Sequence, residues 1–203
     1  MTSVGARLQA HQAALGQCAR CPDMIGPVVM GRPTTSKILQ IGQAPGPYEG
    51  RIGRPFAWTA GKTLFKWYAS LGVNEDAFRE RVYMAAVCRC FPGKNPNGGD
   101  RVPNREEIAR CGEWMREEVA ILKPDLIIPV GKLAIAQMLS APRLDDIVGK
   151  THRVNYFGHE TDAIPLPHPS GLSTWFKVEP GKTLLGDALR LIGDHPAWRI
   201  AFH

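Results

Sequence analysis

NREEIARCGEWMREEVAILKPDLIIPVG, residues 104–131, carries the clearest fold signal in the chain. Asn104 is a favoured N-cap residue and Glu107 stands three places on, the arrangement of a capping box that satisfies two orphaned N–H groups. Ile108, Cys111, Met115, Val119 and Leu122 then recur at helical spacing. Lys123-Pro124 ends the run, because proline has no N–H with which to continue a helix. Asp125–Val130 follows as a short apolar strand of the kind buried on both faces. A helix feeding directly into such a strand is half of an α/β repeat.

Outward from this unit, Lys37–Gly42 and Val82–Val87 read as two more strands and Ala163–Leu166 as a fourth. Helices are predicted over Val4–Leu15, Gly61–Leu71, Lys132–Leu139 and Thr183–Ile192. Val148–Phe157 fits an irregular hairpin or an edge strand. The alternation predicts an α/β fold, a three-layer α/β/α sandwich with a central four-stranded, mostly parallel sheet. Ligands of such sheets bind beyond the carboxyl ends of the strands. The two most unusual loops, GQAPGPYEG (42–50) and PHPSGLS (167–173), both leave such ends.

The 203 residues, 44% of them hydrophobic, are enough for one domain with a sizeable core. The 21 glycines and 17 prolines indicate long loops rather than disorder, since apolar patches recur throughout. No apolar run is long enough to cross a bilayer, and Met1–Arg20 lacks the apolar block of a signal peptide. A cytoplasmic monomer with no membrane partner is expected. The net charge of +6 favours an anionic partner. Gly61-Lys-Thr63 and Gly181-Lys-Thr183 imitate the end of a phosphate loop, but Phe56 and Phe176 stand where its first glycine belongs. No nucleotide cofactor is expected.

Cysteines lie at 18, 21, 88, 90 and 111. In a reducing compartment, an odd set with a close Cys-x-x-Cys pair points to metal or redox chemistry rather than disulfides. Four thiolates from three segments suit a [4Fe–4S] cluster or a structural zinc ion. Cys88, Cys90 and Cys111 also fit as small buried hydrophobes. Side chains two apart on a strand point the same way, so either Cys88 or Cys90 can supply the third ligand.

Taken in order, the motifs resemble the uracil-DNA glycosylase superfamily, above all its iron–sulfur branches, families four and five. They are C-x-x-C before VVMG (28–31), GQAPG (42–46), GRPF (53–56), AAVCRCFP (85–92), PNREEIARC (103–111), KPD (123–125) and VG (130–131). The resemblance spans Cys18 to about Ser173. It implies a single glycosylase-like domain over residues 1–203, with the amino-terminal cysteine segment completing a [4Fe–4S] site on Cys18, Cys21, Cys90 and Cys111. The chain departs from family four at Gln43 and Gly50, which replace Glu and Asp, and keeps Glu49. Ala44 stands where family one has an Asp. Ala86 stands where family four has a uracil-reading Asn, as in family five, whose members accept several damaged bases. Thr59 takes the place of family five's loop Asp. The HPSGLS loop (168–173) is most similar to that of family one.

The activity implied is removal of uracil from DNA, with hypoxanthine and xanthine as further substrates, leaving an abasic site. The base must leave the stack. Phe56 is the aromatic face for it, and the backbone around Gly42, Gln43 and Ala44 reads its carbonyls, with Ala86 beside them. Gly42 and Gly46 permit the close approach. His168, held between two prolines, is the donor that stabilises the departing anionic base. Glu49, the only acid of its loop, is the candidate to activate water. Leu172 is expected to wedge into the emptied stack. Ser170 and Ser173 are placed at phosphates, and Arg51, Arg54, Lys94, Arg101 and Lys177 form the basic loops. The alternative is a weak or inactive iron–sulfur protein that holds damaged or single-stranded DNA; a zinc-stabilised binding protein is a third reading.

Overall fold

The computed structural model describes residues 2–140, 143–171 and 173–203. Five strands form one sheet: β1 (Ile38–Gly42), β2 (Tyr83–Ala86), β3 (Leu126–Pro129), β4 (His152–Tyr156) and β5 (His159–Ala163). Their order is β2-β1-β3-β5-β4. All neighbours run parallel except the β4–β5 hairpin at the edge. The helices are α1 (Val4–Gly16), α2 (Glu49–Ile52), α3 (Thr59–Ala69), α4 (Glu75–Arg81), α5 (Arg105–Leu122), α6 (Lys132–Ile135), α7 (Gly181–Asp194) and α8 (Pro196–Phe202). None of them is long and apolar enough to cross a membrane, among the described residues.

Strand side chains alternate between two separate cores, as a period of two requires. Ile38, Leu126 and Ile128 face a core closed by α3, α4, α7 and α8, with Trp198 wholly buried in it. Leu39, Ile41 and Ile127 face the other core, closed by α1 and α5 through Leu8, Met115, Val119 and Leu122. The three-layer sandwich is therefore present. The capping box that starts α5 forms in full: Asn104 Oδ1 accepts from the Glu107 N–H at 2.9 Å, and the Asn104 N–H donates to Glu107 Oε2 at 2.7 Å. Lys123 closes the helix in the left-handed region at φ +47°, and Pro124 follows.

The sheet differs from the expectation in having five strands rather than four. The Val148–Phe157 region supplies β4, the antiparallel edge, and the polar run HETDA supplies β5. That run was not read as a strand because its apolar content is low; only Thr161 and Ala163 are buried. The expected fourth strand, Ala163–Leu166, continues β5. The N–H groups of Ile164 and Leu166 still donate to β3 carbonyls at 3.0 and 2.9 Å. Pro165 and Pro167 interrupt the ladder there, having no N–H to offer. The helix expected over Lys132–Leu139 is regular only as α6, and the last helix extends to α7 and is followed by α8. Short α2 and α4 were not anticipated.

Candidate active site

A cavity of about 480 Å³ opens at the carboxyl ends of β1 and β2. The β1 loop contributes Gly42, Gln43, Ala44, Glu49 and Phe56 to its wall, β2 contributes Ala86, and the loop after β5 contributes His168 and Ser170. These positions, from three distant parts of the chain, are the expected base-binding and catalytic residues together with Ser170, which is expected at a phosphate. The volume is in the range of small-molecule sites.

Phe56 is held under strain. Its φ is +52°, a left-handed conformation that a bulky residue rarely adopts. Three features stabilise it. A Cβ on Gly42 would lie 2.9 Å from two Phe56 ring carbons, so the ring packs against a bare strand end. A Cβ on Gly61 would sit 1.7 Å from the Phe56 carbonyl oxygen, so α3 approaches as only glycine allows. The buried Arg79 guanidinium donates to the carbonyls of Pro55 and Phe56 at 2.9 and 3.1 Å, and Glu75 holds it from behind at 2.8 Å. Arg79 escaped the sequence reading because an i, i+4 Glu–Arg pair on a short helix looks like solvated surface.

His168 lines the cavity with its ring orientation set by two neighbours. Nδ1 accepts the Ser170 backbone N–H at 3.3 Å, which leaves Nε2 to carry the proton of the neutral ring. Burial pushes its pKa below the ordinary histidine value, and the charge of Asp100 acts the other way. Gly131, at φ +87°, backs the ring: a Cβ there would meet His168 Cδ2 at 3.0 Å.

Glu49 begins α2, and its two oxygens accept the N–H groups of Gly46 at 2.5 Å and Ala57 at 3.2 Å. Burial raises its pKa, with these backbone donors opposing. A second carboxylate, Asp100, also reaches the wall, from the loop between β2 and α5. Lys94 Nζ donates to its Oδ1 at 2.6 Å. Asp100 was missed because its Gly/Pro/Asn-rich loop carries no periodic signal that could place it.

Not every expected residue joins the cavity. Arg54 lies on an exposed loop 3.8 Å from Glu75. Arg101, expected as a free basic loop residue, is instead a clasp: it forks onto Glu107 at 2.7 and 2.8 Å and donates to the Pro92 carbonyl. Ser173 lies in the turn beyond Ser170, its N–H donating to the Ser170 carbonyl. Leu172, the expected wedge, lies outside the described residues.

Cys18, Cys21, Cys90 and Cys111 line a second cavity of about 420 Å³. Cys88 is wholly buried among apolar side chains. Its thiol donates to Cys111, which raises the pKa of Cys88 and lowers that of Cys111. Burial, aided by the charge of Cys111, pushes the Cys90 thiol up to about 11. Among the described residues, no three His, Cys, Asp or Glu side chains come close enough together to hold a single metal ion. The four thiols line one cavity, and their chemistry suits a thiolate-bound metal group. Arg89 also lines this cavity, wholly buried and paired with Glu118 through two hydrogen bonds. Tyr83 donates to the same carboxylate at 2.6 Å.

Fold and cavities together define an α/β protein with a mixed apolar and polar pocket at its strand ends and a thiol-lined cavity behind it. The chain belongs to the uracil-DNA glycosylase superfamily, whose family description, "Uracil DNA glycosylase superfamily", matches residues 29–189. It is 30% identical over 142 residues to the Type-4 uracil-DNA glycosylase of Archaeoglobus fulgidus, covering 68% of this chain and 67% of that one. With the Type-4 enzyme of Thermotoga maritima the identity is 30% over 159 residues, 77% of this chain and 78% of the other. The Type-5 uracil-DNA glycosylase of Pyrobaculum aerophilum is 29% identical over 194 residues, 78% and 80% of the two chains.

Proposed function

We infer that the protein hydrolyses the N-glycosidic bond of uracil in DNA and leaves an abasic site. The observation that carries this reading is the meeting of Phe56, His168 and Glu49 in one cavity of a chain from this superfamily. A base flipped out of the helix stacks on Phe56. As the bond to the sugar breaks, negative charge builds on the base and positive charge on the sugar. His168 Nε2–H donates to a base oxygen and stabilises the first, an interaction of a few kcal/mol when the donor is held in place beforehand. Glu49 takes a proton from the water that adds to the sugar; burial makes its carboxylate a stronger base. Asp100 adds negative charge on the same wall, favourable to the sugar cation. Ala86 offers the base a methyl group rather than a selective amide, so hypoxanthine and xanthine fall within the range.

The same reading puts a [4Fe–4S] cluster on Cys18, Cys21, Cys90 and Cys111, with Cys88 a packing residue. What supports it is the cavity that the four thiols share. When bound, the group supplies a cross-link between the amino-terminal segment, the end of β2 and α5.

Labelled oligonucleotides carrying uracil, hypoxanthine or xanthine, single- and double-stranded, test the reading beside His168→Ala. Alkali-labile breaks at the damaged base, lost in the variant, are expected. A second reading draws on the two backbone amides that already occupy Glu49: a protein that binds damaged DNA without cutting the bond. Tight binding with no breaks on any substrate, from protein retaining its iron, would establish that reading instead.

A further inference from the structure

Two aromatic side chains at the rim of the base cavity are left in solvent. Tyr48 and Trp58 flank α2 in sequence, and their rings stack with centroids 4.5 Å apart and planes 25° from parallel. Tyr48 is 44% exposed and Trp58 47%. Large aromatic rings usually bury their faces, and here two form a ledge beside a cavity whose wall they share with Phe56. Arg51, on the helix between them, holds its guanidinium 5.9 Å from the Tyr48 ring centroid. Among the described residues it has no carboxylate partner within ion-pair distance.

We propose that Tyr48 and Trp58 form a stacking ledge for an unpaired base of single-stranded DNA, next to the nucleotide in the cavity, with Arg51 at a phosphate of the same strand. The proposal rests on reading the cavity as a base pocket. Every nucleobase has a π-face, so an exposed indole next to a cation binds single strands with little regard to sequence. In a duplex the neighbouring base already stacks and pairs within the helix, and would lose those contacts to reach the ledge. The ledge therefore favours single-stranded over double-stranded DNA. This is a property of the rim and is separate from bond breaking inside the cavity.

The test uses the full-length protein and a thymidine octanucleotide without uracil, followed by tryptophan fluorescence and by anisotropy of a labelled strand. Trp58→Ala and Tyr48→Ala are each expected to weaken binding about ten-fold, with duplex binding unchanged. Trp58→Phe is expected to keep most of the affinity by anisotropy and to lose the fluorescence quench, since phenylalanine stacks but lacks the indole. Wild-type affinity in the Tyr48→Ala/Trp58→Ala double variant would overturn the proposal. Equal weakening on single strands and duplex, or a Trp58→Phe loss as large as that of Trp58→Ala, would overturn it too. Failure of the enzyme reading looks different: no excision on any substrate, with octanucleotide binding still dependent on Trp58. Failure of the ledge alone leaves uracil excision intact and the single-strand affinity indifferent to both rings.

Discussion

The two cavities are close in size, about 480 and 420 Å³, yet they are held open by different means. The base cavity is shaped by the protein's own bonds. Arg79 grips the backbone at Phe56, Glu49 ties Gly46 to Ala57, and Ser170 and Gly131 set the His168 ring. Behind it, the cysteine cavity borders a segment from Gln17 to Val28 that has no helix or strand. That segment is tied to the rest of the chain by backbone bonds between Ile25 and Phe91 and by Arg20, which pairs with Glu113 on α5, lies over the Trp114 ring and accepts from Arg110 at its carbonyl. A pocket that must receive a ligand repeatedly needs its geometry beforehand, because reorganisation at each turnover weakens the interactions that matter. A site for a resident group can take its stiffness from that group.

The sharpest way to break this contrast is to remove ligands from each cavity. Cys18→Ser with Cys21→Ser should bleach the protein and cost more than about 3 kcal/mol, which lowers the thermal midpoint by roughly 6–12 °C in a chain of this size. A coloured double variant with an unchanged midpoint would show that the segment is stiff by itself. His168→Ala should do the reverse, cutting single-turnover excision roughly 10²–10³-fold while the midpoint barely moves. Gly131→Ala combines a positive φ with a 3.0 Å approach to the imidazole. It should slow excision about ten-fold by displacing the ring, and a wild-type rate would mean that the ring tolerates the shift.

The smallest effect expected is on pH. Burial keeps His168 neutral below the ordinary imidazole value and leaves Glu49 protonated above the ordinary carboxyl value. Both changes put the loss of activity on the acid side. The rate should drop on the acid side as Glu49 gains its proton, at a pH above the ordinary carboxyl range. Glu49→Gln should lower the plateau and flatten that drop. A drop that survives in Glu49→Gln would move the titration to His168 and the water to another carboxylate, Asp100 being the one on the wall.

Much of the site was legible because its residues sit in loops of unusual composition directly after apolar strands. Gly42–Phe56 and Pro167–Ser173 fall at one end of the sheet on sequence grounds alone, since parallel strands present their carboxyl ends on the same side. Asp100, Arg79 and Trp58 could not, nor could the stacking of Tyr48 on Trp58. Their positions depend on how a loop or a short helix folds back over that end, and no periodicity records it. The choice between Cys88 and Cys90 was open for a similar reason. Strand alternation puts both on one side, but the regular strand ends at Ala86. Beyond it, Cys88 turns into the core and Cys90 toward the cavity.

The amino-acid sequence by itself determined the alternation of helix and strand, the two-faced core, the α5 capping box and the pair of loops that make the cavity. These follow from local chemistry and hydrophobic period, which any short window contains. Only the tertiary structure decided the fifth strand, the strained backbone of Phe56, the seating of the His168 ring against Gly131 and the four thiols around one space. Each of those depends on groups far apart in the chain that come together only after the sheet has formed.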